Sequence, residues 1–244
     1  MPKLMDKTAV ITGASSGIGA TIAEYLANEG ANVVLAARRI APLEANRDKI
    51  NNRGKGKAIA VETDVSSSAS VEAMVNKAER EFGKIDIYVN NAGLMLEAKL
   101  TSGEVEQWEQ MIDVNIKGVL YGIHSVLPQM IARESGHIIN LSSVSGQEVT
   151  KNSPVYSATK FAVRALSMGM EKELARTGVR VTNISPGMVD TDMAQSRNGN
   201  RITREAKQGN TRLPLQTDDI ARAVIYAVTQ PDYVNVNELT IRPV

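Results

Sequence analysis

The chain has no cysteine and only two histidines, His124 and His137, among its 244 residues. Disulfides, thiolate nucleophiles and zinc–thiolate centres are excluded, and with two imidazoles no metal centre is expected. No run approaches the roughly 18 consecutive apolar residues of a membrane helix. The amino terminus enters a strand-like stretch, Thr8 to Thr12, without the charged and apolar regions of a signal peptide, so a cytoplasmic protein with no membrane partner is expected. Nor does charge of one sign dominate: 28 basic and 27 acidic residues leave a formal net charge of +1. No nucleic-acid partner is expected, and the implied partner is a small molecule.

What the sequence does hold is apolar residues, 43% of the chain, enough for one sizeable core. Short β-branched or apolar runs recur at Thr8–Thr12, Asn32–Ala37, Lys57–Glu62, Ile85–Asn90, His137–Leu141, Arg180–Ile184 and Glu238–Ile241. Between them lie helix-period stretches such as Ile18–Asn28, followed by Gly30, and Val71–Phe82, followed by Gly83, with glycine where a left-handed cap belongs. Continuous apolar strands alternating with helices predict an α/β doubly wound parallel sheet, a Rossmann-like three-layer sandwich forming a single domain over residues 1–244. The segment Ala194–Leu213 breaks the alternation. It is polar, with Gly199 and Gly209, and carries Arg197, Arg201, Arg204, Lys207 and Arg212 against Glu205 alone, a local charge of +4. A substrate lid that draws anions is expected at about 194–213, with the alternatives that its arginines are simply solvated or assist cofactor phosphates.

The first strand runs into Gly13-Ala14-Ser15-Ser16-Gly17-Ile18-Gly19, after which the pattern turns helical. Glycines let the backbone approach a ligand closely, and the free N–H groups of the helix start can hold a pyrophosphate. The spacing differs from Gly-x-Gly-x-x-Gly, and a glycine-rich turn with no ligand is the alternative. The second strand ends Ala36-Ala37-Arg38-Arg39, where a site preferring NAD would place an acid against the ribose 2′-hydroxyl. Arg38 and Arg39 can instead clasp a 2′-phosphate, with Ser15 or Ser16 assisting; otherwise they merely end the strand in solvent.

Ser153-Pro154 reads as a helix start, which places Tyr156 and Lys160 four residues apart on one helical face. A phenol with a pKa near 10 needs a neighbouring cation to exchange protons at neutral pH, and Lys160 is chemically apt. Alone, Tyr-x-x-x-Lys is a common accident. Ser142-Ser143 follows the fifth strand at the end of the sheet where such folds bind ligands, so its hydroxyls can reach a substrate oxygen or satisfy a local turn. Asn115 is expected in a helix opened by a capping box, Thr101 to Glu104, on one stripe with Trp108, Met111 and Ile112. It is either a satisfied core residue or part of a site, and Trp108 is core or subunit contact.

Together Thr12-Gly13-x-x-x-Gly17-Ile18-Gly19, Asp64-Val65, Asn90-Asn91-Ala92-Gly93, Asn115, Ser143, Tyr156-x-x-x-Lys160 and Pro186-Gly187 resemble the short-chain dehydrogenase/reductase family in order and spacing, across the whole chain. The resemblance implies reversible hydride transfer with NADP(H), a carbonyl or alcohol substrate, and a homodimer or homotetramer. It implies Tyr156 as general acid–base, Ser143 polarising the substrate carbonyl, Lys160 on the nicotinamide ribose and Asn115 retaining a water. It further implies Asp64 and Val65 at the adenine, Asn91, Ala92 and Gly93 along the ribose side, and Pro186, Gly187, Val189 and Thr191 at the carboxamide end. The ending Asn237–Val244 looks more like the branch of 3-hydroxy acid (serine-type) dehydrogenases and clavaldehyde reductases than like 3-oxoacyl-acyl-carrier-protein reductases, the alternative within the family. A non-enzymatic NADP(H)-binding sensor is the third reading, and it would need a broken catalytic set.

Overall fold

The computed structural model describes residues 3–53, 55–96, 100–149, 153–191 and 213–244. The segment expected as a lid therefore lies outside the described residues, Leu213 excepted. The described strands are β1 (Thr8–Thr12), β2 (Asn32–Ala37), β3 (Ala58–Glu62), β4 (Ile87–Asn90), β5 (Gly136–Leu141), β6 (Val179–Pro186) and β7 (Glu238–Ile241). They form one parallel sheet in the order β3-β2-β1-β4-β5-β6-β7. Helices α1 (Gly17–Asn28), α2 (Ile40–Asn51), α3 (Ser68–Phe82), α4 (Val105–Ile112), α5 (Gly118–Ala132), α6 (Pro154–Glu173) and α7 (Thr217–Val228) cover its two faces. The order reverses between β1 and β4, which opens a crevice at the carboxyl ends of the strands.

Period-two alternation sorts the strand side chains. Ala9, Ile11, Val33, Leu35, Val89 and Ile139 join a core with Ile22 and Leu26 of α1 and Ile220 and Val224 of α7. Val10, Val34, Tyr88 and Ile138 face the opposite way, against Val71 and Met74 of α3, Val119 and Val126 of α5, and Val163 of α6. Both faces of the sheet are dry, which is why the strands read as unbroken apolar runs. Each fully buried aliphatic side chain contributes about 1.5–3 kcal/mol.

Two local expectations are corrected, and one between them holds in part. Thr101 lies in a 3-10 turn, Leu100–Ser102, and α4 begins at Val105 with Glu104 at its N-cap and no side-chain cap, so the capping box does not form. Ser153 does stand at the N-cap of α6 with Pro154 following, but its hydroxyl makes no cap and is buried without a partner. Between α4 and α5 the chain makes a π turn, Asp113–Lys117. Met111 and Asn115, four residues apart, are both buried, whereas Ile112, the last residue of α4 before that turn, is 39% exposed and does not share their face.

Candidate active site

Every described residue given a catalytic or cofactor role above lines one cleft of about 870 Å³ at the carboxyl edge of the sheet, except Asn115. Towards one end stand Gly13, Ser15, Ser16, Gly17, Ile18 and Gly19, with Arg38, Arg39, Asp64 and Val65; towards the other stand Ser143, Tyr156, Lys160, Pro186, Gly187 and Val189; Asn91, Ala92 and Gly93 also line it, and Thr191 reaches back to α1, its Cγ2 3.6 Å from where a Cβ at Gly17 would sit.

The β1–α1 turn is built for close approach. Gly13 has φ of +68°, and a Cβ there would sit 2.8 Å from the Ala92 Cα, so backbone rather than a movable side chain blocks any larger residue. A Cβ at Gly19 would lie 2.6 Å from the Gly13 carbonyl oxygen. Thr12 Oγ1 accepts from the backbone N–H groups of Asn91 and Ala92, both at 3.0 Å, and Asn91 Nδ2 donates to Thr12 O at 2.8 Å. These bonds join the ends of β1 and β4. From α2, Asn46 Nδ2 donates to the carbonyls of Ala14 and Ser15 at 3.1 and 3.3 Å. Helix α1 itself starts at Ser16 with no side-chain cap and no acid in its first turn. Uncapped N–H groups and the positive end of the helix dipole there favour an anion.

Beside this turn Arg39 Nη2 donates to Ser15 Oγ at 3.2 Å and to Ser16 Oγ at 3.4 Å. Asp64 accepts from the N–H and hydroxyl of Ser66 at 3.0 and 2.7 Å, and those bonds, with the nearby Arg38 charge, hold its carboxyl below the ordinary aspartate value.

At the other end Lys160 is buried and donates from Nζ to Leu141 O at 2.8 Å, with Nζ 5.8 Å from the centre of the Tyr156 ring. Burial pushes its ammonium pKa down to about 8. The Tyr156 ring packs with Met111 and against Leu94, Met95, Trp108 and Val155. Ser142 and Ser143 differ: Ser142 Oγ donates to Lys160 O at 2.8 Å, whereas Ser143 Oγ accepts from Ser145 N at 3.1 Å and lies 3.5 Å from Pro186 O, on the cleft. Both serines line the cleft, but the Ser142 hydroxyl is committed to tying β5 to α6, and Ser143 is the more exposed of the two.

Asn115 sits behind the cleft. Its Oδ1 accepts from Leu94 N at 2.7 Å, and its Nδ2 donates to Leu94 O at 2.8 Å and to Thr159 Oγ1 at 3.0 Å. Thr159 Oγ1 in turn donates to Tyr156 O at 2.7 Å. The side chain therefore orders the cleft wall and the helix of Tyr156. A Cβ at Gly93 would lie 3.5 Å from Asn115 Oδ1 and 3.6 Å from Lys160 Nζ. Asn46, Thr159 and the Thr12 hydroxyl are supports that sequence reasoning missed; their partners lie far along the chain or are backbone atoms, and no spacing announces them.

A sequence profile described as short chain dehydrogenase matches residues 7–202. An uncharacterized oxidoreductase of Staphylococcus saprophyticus is 53% identical over 247 residues, covering 100% of both chains. One from Staphylococcus aureus (strain MRSA252) is 49% identical over 248 residues, again covering 100% of both. Among solved structures, the closed form of a serine dehydrogenase complexed with NADP+ matches with a TM-score of 0.86 at 34% identity, covering 96% of this chain and 94% of the other. An alcohol dehydrogenase from the archaeon Thermococcus sibiricus, complexed with 5-hydroxy-NADP, matches with a TM-score of 0.87 at 32% identity, covering 98% and 97%.

Proposed function

The chain belongs to the short chain dehydrogenase family of oxidoreductases, and from that premise we propose that it is an NADP(H)-dependent enzyme interconverting a carbonyl and a primary or secondary alcohol on a small molecule. The observation that carries this reading is a single cleft with Arg38, Arg39 and an uncapped helix start at one end and Tyr156, Lys160 and Ser143 at the other.

The residues present fit a dinucleotide phosphate. The uncapped N–H groups at Gly17, Ile18 and Gly19 suit a pyrophosphate, and the closely approached backbone at Gly13 leaves no side chain in its way. Arg38 and Arg39, with Ser15 and Ser16, suit a 2′-phosphate, and Ala37 provides no carboxylate to repel it. Asp64 and Val65 would take the adenine; Asn91, Ala92, Gly93, Tyr156 and Lys160 the nicotinamide ribose; Pro186, Gly187, Val189 and Thr191 the carboxamide. Structures matching this chain at 34% and 32% identity hold NADP+ and 5-hydroxy-NADP, which supports the same choice here.

When bound, the dinucleotide supplies or accepts the hydride. In reduction the Tyr156 hydroxyl gives its proton to the carbonyl oxygen, and in oxidation the phenolate takes it back. Ser143 Oγ donates a hydrogen bond to the same oxygen, which strengthens as negative charge develops there. Lys160, charged below about pH 8, favours the phenolate. Asn115, which this fold commits to Leu94 and Thr159, keeps the helix of Tyr156 in register.

For substrate the reading extends to the 3-hydroxy acid branch, supported by the Asn237–Val244 ending and the likeness to a serine dehydrogenase. The basic run between Arg197 and Arg212 fits a carboxylate. A homodimer or homotetramer is supported by apolar side chains left exposed on two neighbouring long helices, Leu120 and Ile131 of α5, Phe161 and Met168 of α6. The test is a panel of ketones, aldehydes, 3-oxo esters, 3-oxoacyl thioesters and 3-hydroxy acids followed at 340 nm with NADPH or NADP. Turnover of at least one small carbonyl or alcohol is expected. Activity confined to acyl-carrier-protein thioesters would replace the reading, and NADPH binding without any turnover would favour a sensor.

A further inference from the structure

Three donors from three separate parts of the chain converge on the carboxylate of Glu238, in β7, and none of the four residues lines the cleft. Arg164 donates from Nε to Oε1 at 2.8 Å and from Nη2 to Oε2 at 3.1 Å. Gln147 Nε2 and Asn183 Nδ2 each donate to Oε1 at 3.2 Å.

Each donor belongs to a site-bearing element. Gln147 closes the turn that begins at Ser143: the N–H groups of Gly146 and Gln147 donate to the carbonyls of Ser143 and Val144. Arg164 stands one helical turn beyond Lys160 in α6. Asn183 lies on β6, whose last residue, Pro186, has its carbonyl beside Ser143 Oγ. The Ser143 turn is fastened to the last strand by one more bond, Gln147 Nε2 to Thr240 Oγ1 at 2.7 Å, and the residues that follow each are joined by Arg242 Nη1 to Glu148 Oε1 at 3.0 Å. It is also pressed onto α6, since a Cβ at Gly146 would sit 2.7 Å from the Lys160 carbonyl oxygen.

A lone ion pair at this exposure would add little stability. A guanidinium fork with two amide donors on one carboxylate adds direction instead, because four bonds must be satisfied at once. The Arg164 hydrogen bond, assisted by Gln147 and Asn183, keeps the Glu238 carboxyl ionised by lowering its pKa.

We propose that Glu238 is a positioning residue: its carboxylate holds the Ser143 turn against the helix carrying Tyr156 and Lys160 and so sets the spacing of the serine hydroxyl and the phenol. Its kinetic consequence rests on the oxidoreductase reading, but its structural consequence does not. Glu238→Gln keeps the volume and one acceptor while removing the charge and the fork. Hydrogen exchange in the free protein should then quicken at least about fivefold at the amides of Gly146, Gln147 and Glu148, with Thr8–Asn28 unchanged. With the best carbonyl of the panel, kcat should fall about tenfold while the NADPH Kd stays within about twofold, since a small misplacement costs rate rather than cofactor affinity. Gln147→Leu should act in the same direction, and the double variant should lose no more kcat than the worse single one. Should Glu238→Gln fail to fold, Gln147→Leu is read by the same two measurements. Unchanged exchange in the turn, faster exchange throughout the chain, or an unaltered kcat would each overturn the proposal. If no carbonyl is turned over, the oxidoreductase reading fails, while exchange in the turn still decides whether Glu238 is a clamp.

Discussion

At the scale of single residues, the proposed chemistry turns on one phenol and the cation near it. Tyr156 is 7% exposed, its ring held among Met111, Leu94, Met95 and Val155, so replacing it by phenylalanine keeps the ring packing and removes the hydroxyl that carries the transferable proton. Tyr156→Phe should lower kcat by about 10²–10⁴ with NADPH affinity near parental by fluorescence titration. Retention of more than about a hundredth of the parental rate would exclude a proton-transfer role of that size. Lys160→Ala should damage both turnover and NADPH binding, because the ammonium stands 5.8 Å from the centre of the Tyr156 ring and 3.6 Å from where a Cβ at Gly93 would sit, within reach of both the phenol and the proposed ribose site. The hydroxyl of Ser143 has a different signature: Ser143→Ala should cut kcat while leaving the NADPH Kd alone, and a matched loss of cofactor affinity would move that residue out of substrate polarisation.

At the scale of elements, the proposed cofactor choice rests on the end of β2 and the start of α1. Arg39 already leans on Ser15 and Ser16, and Arg38 lies close enough to Asp64 to lower its pKa. NADPH should therefore be preferred over NADH by at least about tenfold, or 1.4 kcal/mol, in kcat/KM. The pair Ala37→Asp and Arg38→Asn should reverse the preference by giving the ribose 2′-hydroxyl an acceptor and repelling a 2′-phosphate. Equal efficiency of the parent with both cofactors would remove the basis for this choice. The strands themselves were legible because both faces of the sheet are buried: β1, β2 and β7 have the predicted bounds, and the others shift by one or two residues. The glycine turn, the arginines and Tyr156-x-x-x-Lys160 were legible for a related reason, since each is local in sequence. Helix starts were legible only in part: Ser153-Pro154 does open α6. Thr101 to Glu104 has the spacing of a cap, but Thr101 lies in a 3-10 turn and Glu104 itself is the N-cap of α4; the π turn at Asp113–Lys117 leaves no trace in hydrophobic periodicity, and Ile112, apolar like its neighbour Met111, is exposed. Asn46, Thr159 and Glu238 act through partners that only the folded chain brings together.

At the scale of the whole molecule, the acid limit of stability should trace to a histidine that takes no part in the site. His137 opens the apolar part of β5, is 1% exposed, and has Nε2 2.8 Å from Thr182 Oγ1 while Nδ1 is buried without a partner. Burial, and then the charge of Arg180, lower its pKa from 6.5 to about 3. Between those values the unfolded chain binds a proton that the native state refuses. Stability therefore rises with pH across that window, is fully present above about 6.5, and is lost as pH falls toward 3. Within the window the slope approaches 1.4 kcal/mol per pH unit, so going from pH 7 to pH 5 should cost about 2 kcal/mol before most carboxylates begin to titrate. Lys160 has the same sign in another range. Its pKa is lowered from 10.5 to about 8, so a buried ammonium destabilises the fold below about pH 8, and stability recovers between 8 and 10.5. The two groups are separable, because at pH 5 to 7 Lys160 is charged in both native and unfolded chains and contributes no slope. His137→Gln can keep a bond to Thr182 without titrating. In urea unfolding it should flatten the pH 5–7 dependence by about 2 kcal/mol, whatever its effect at pH 7. A parent protein as insensitive to pH over that range as His137→Gln would mean that the imidazole is protonated in the native state and that β5 and β6 accommodate the charge.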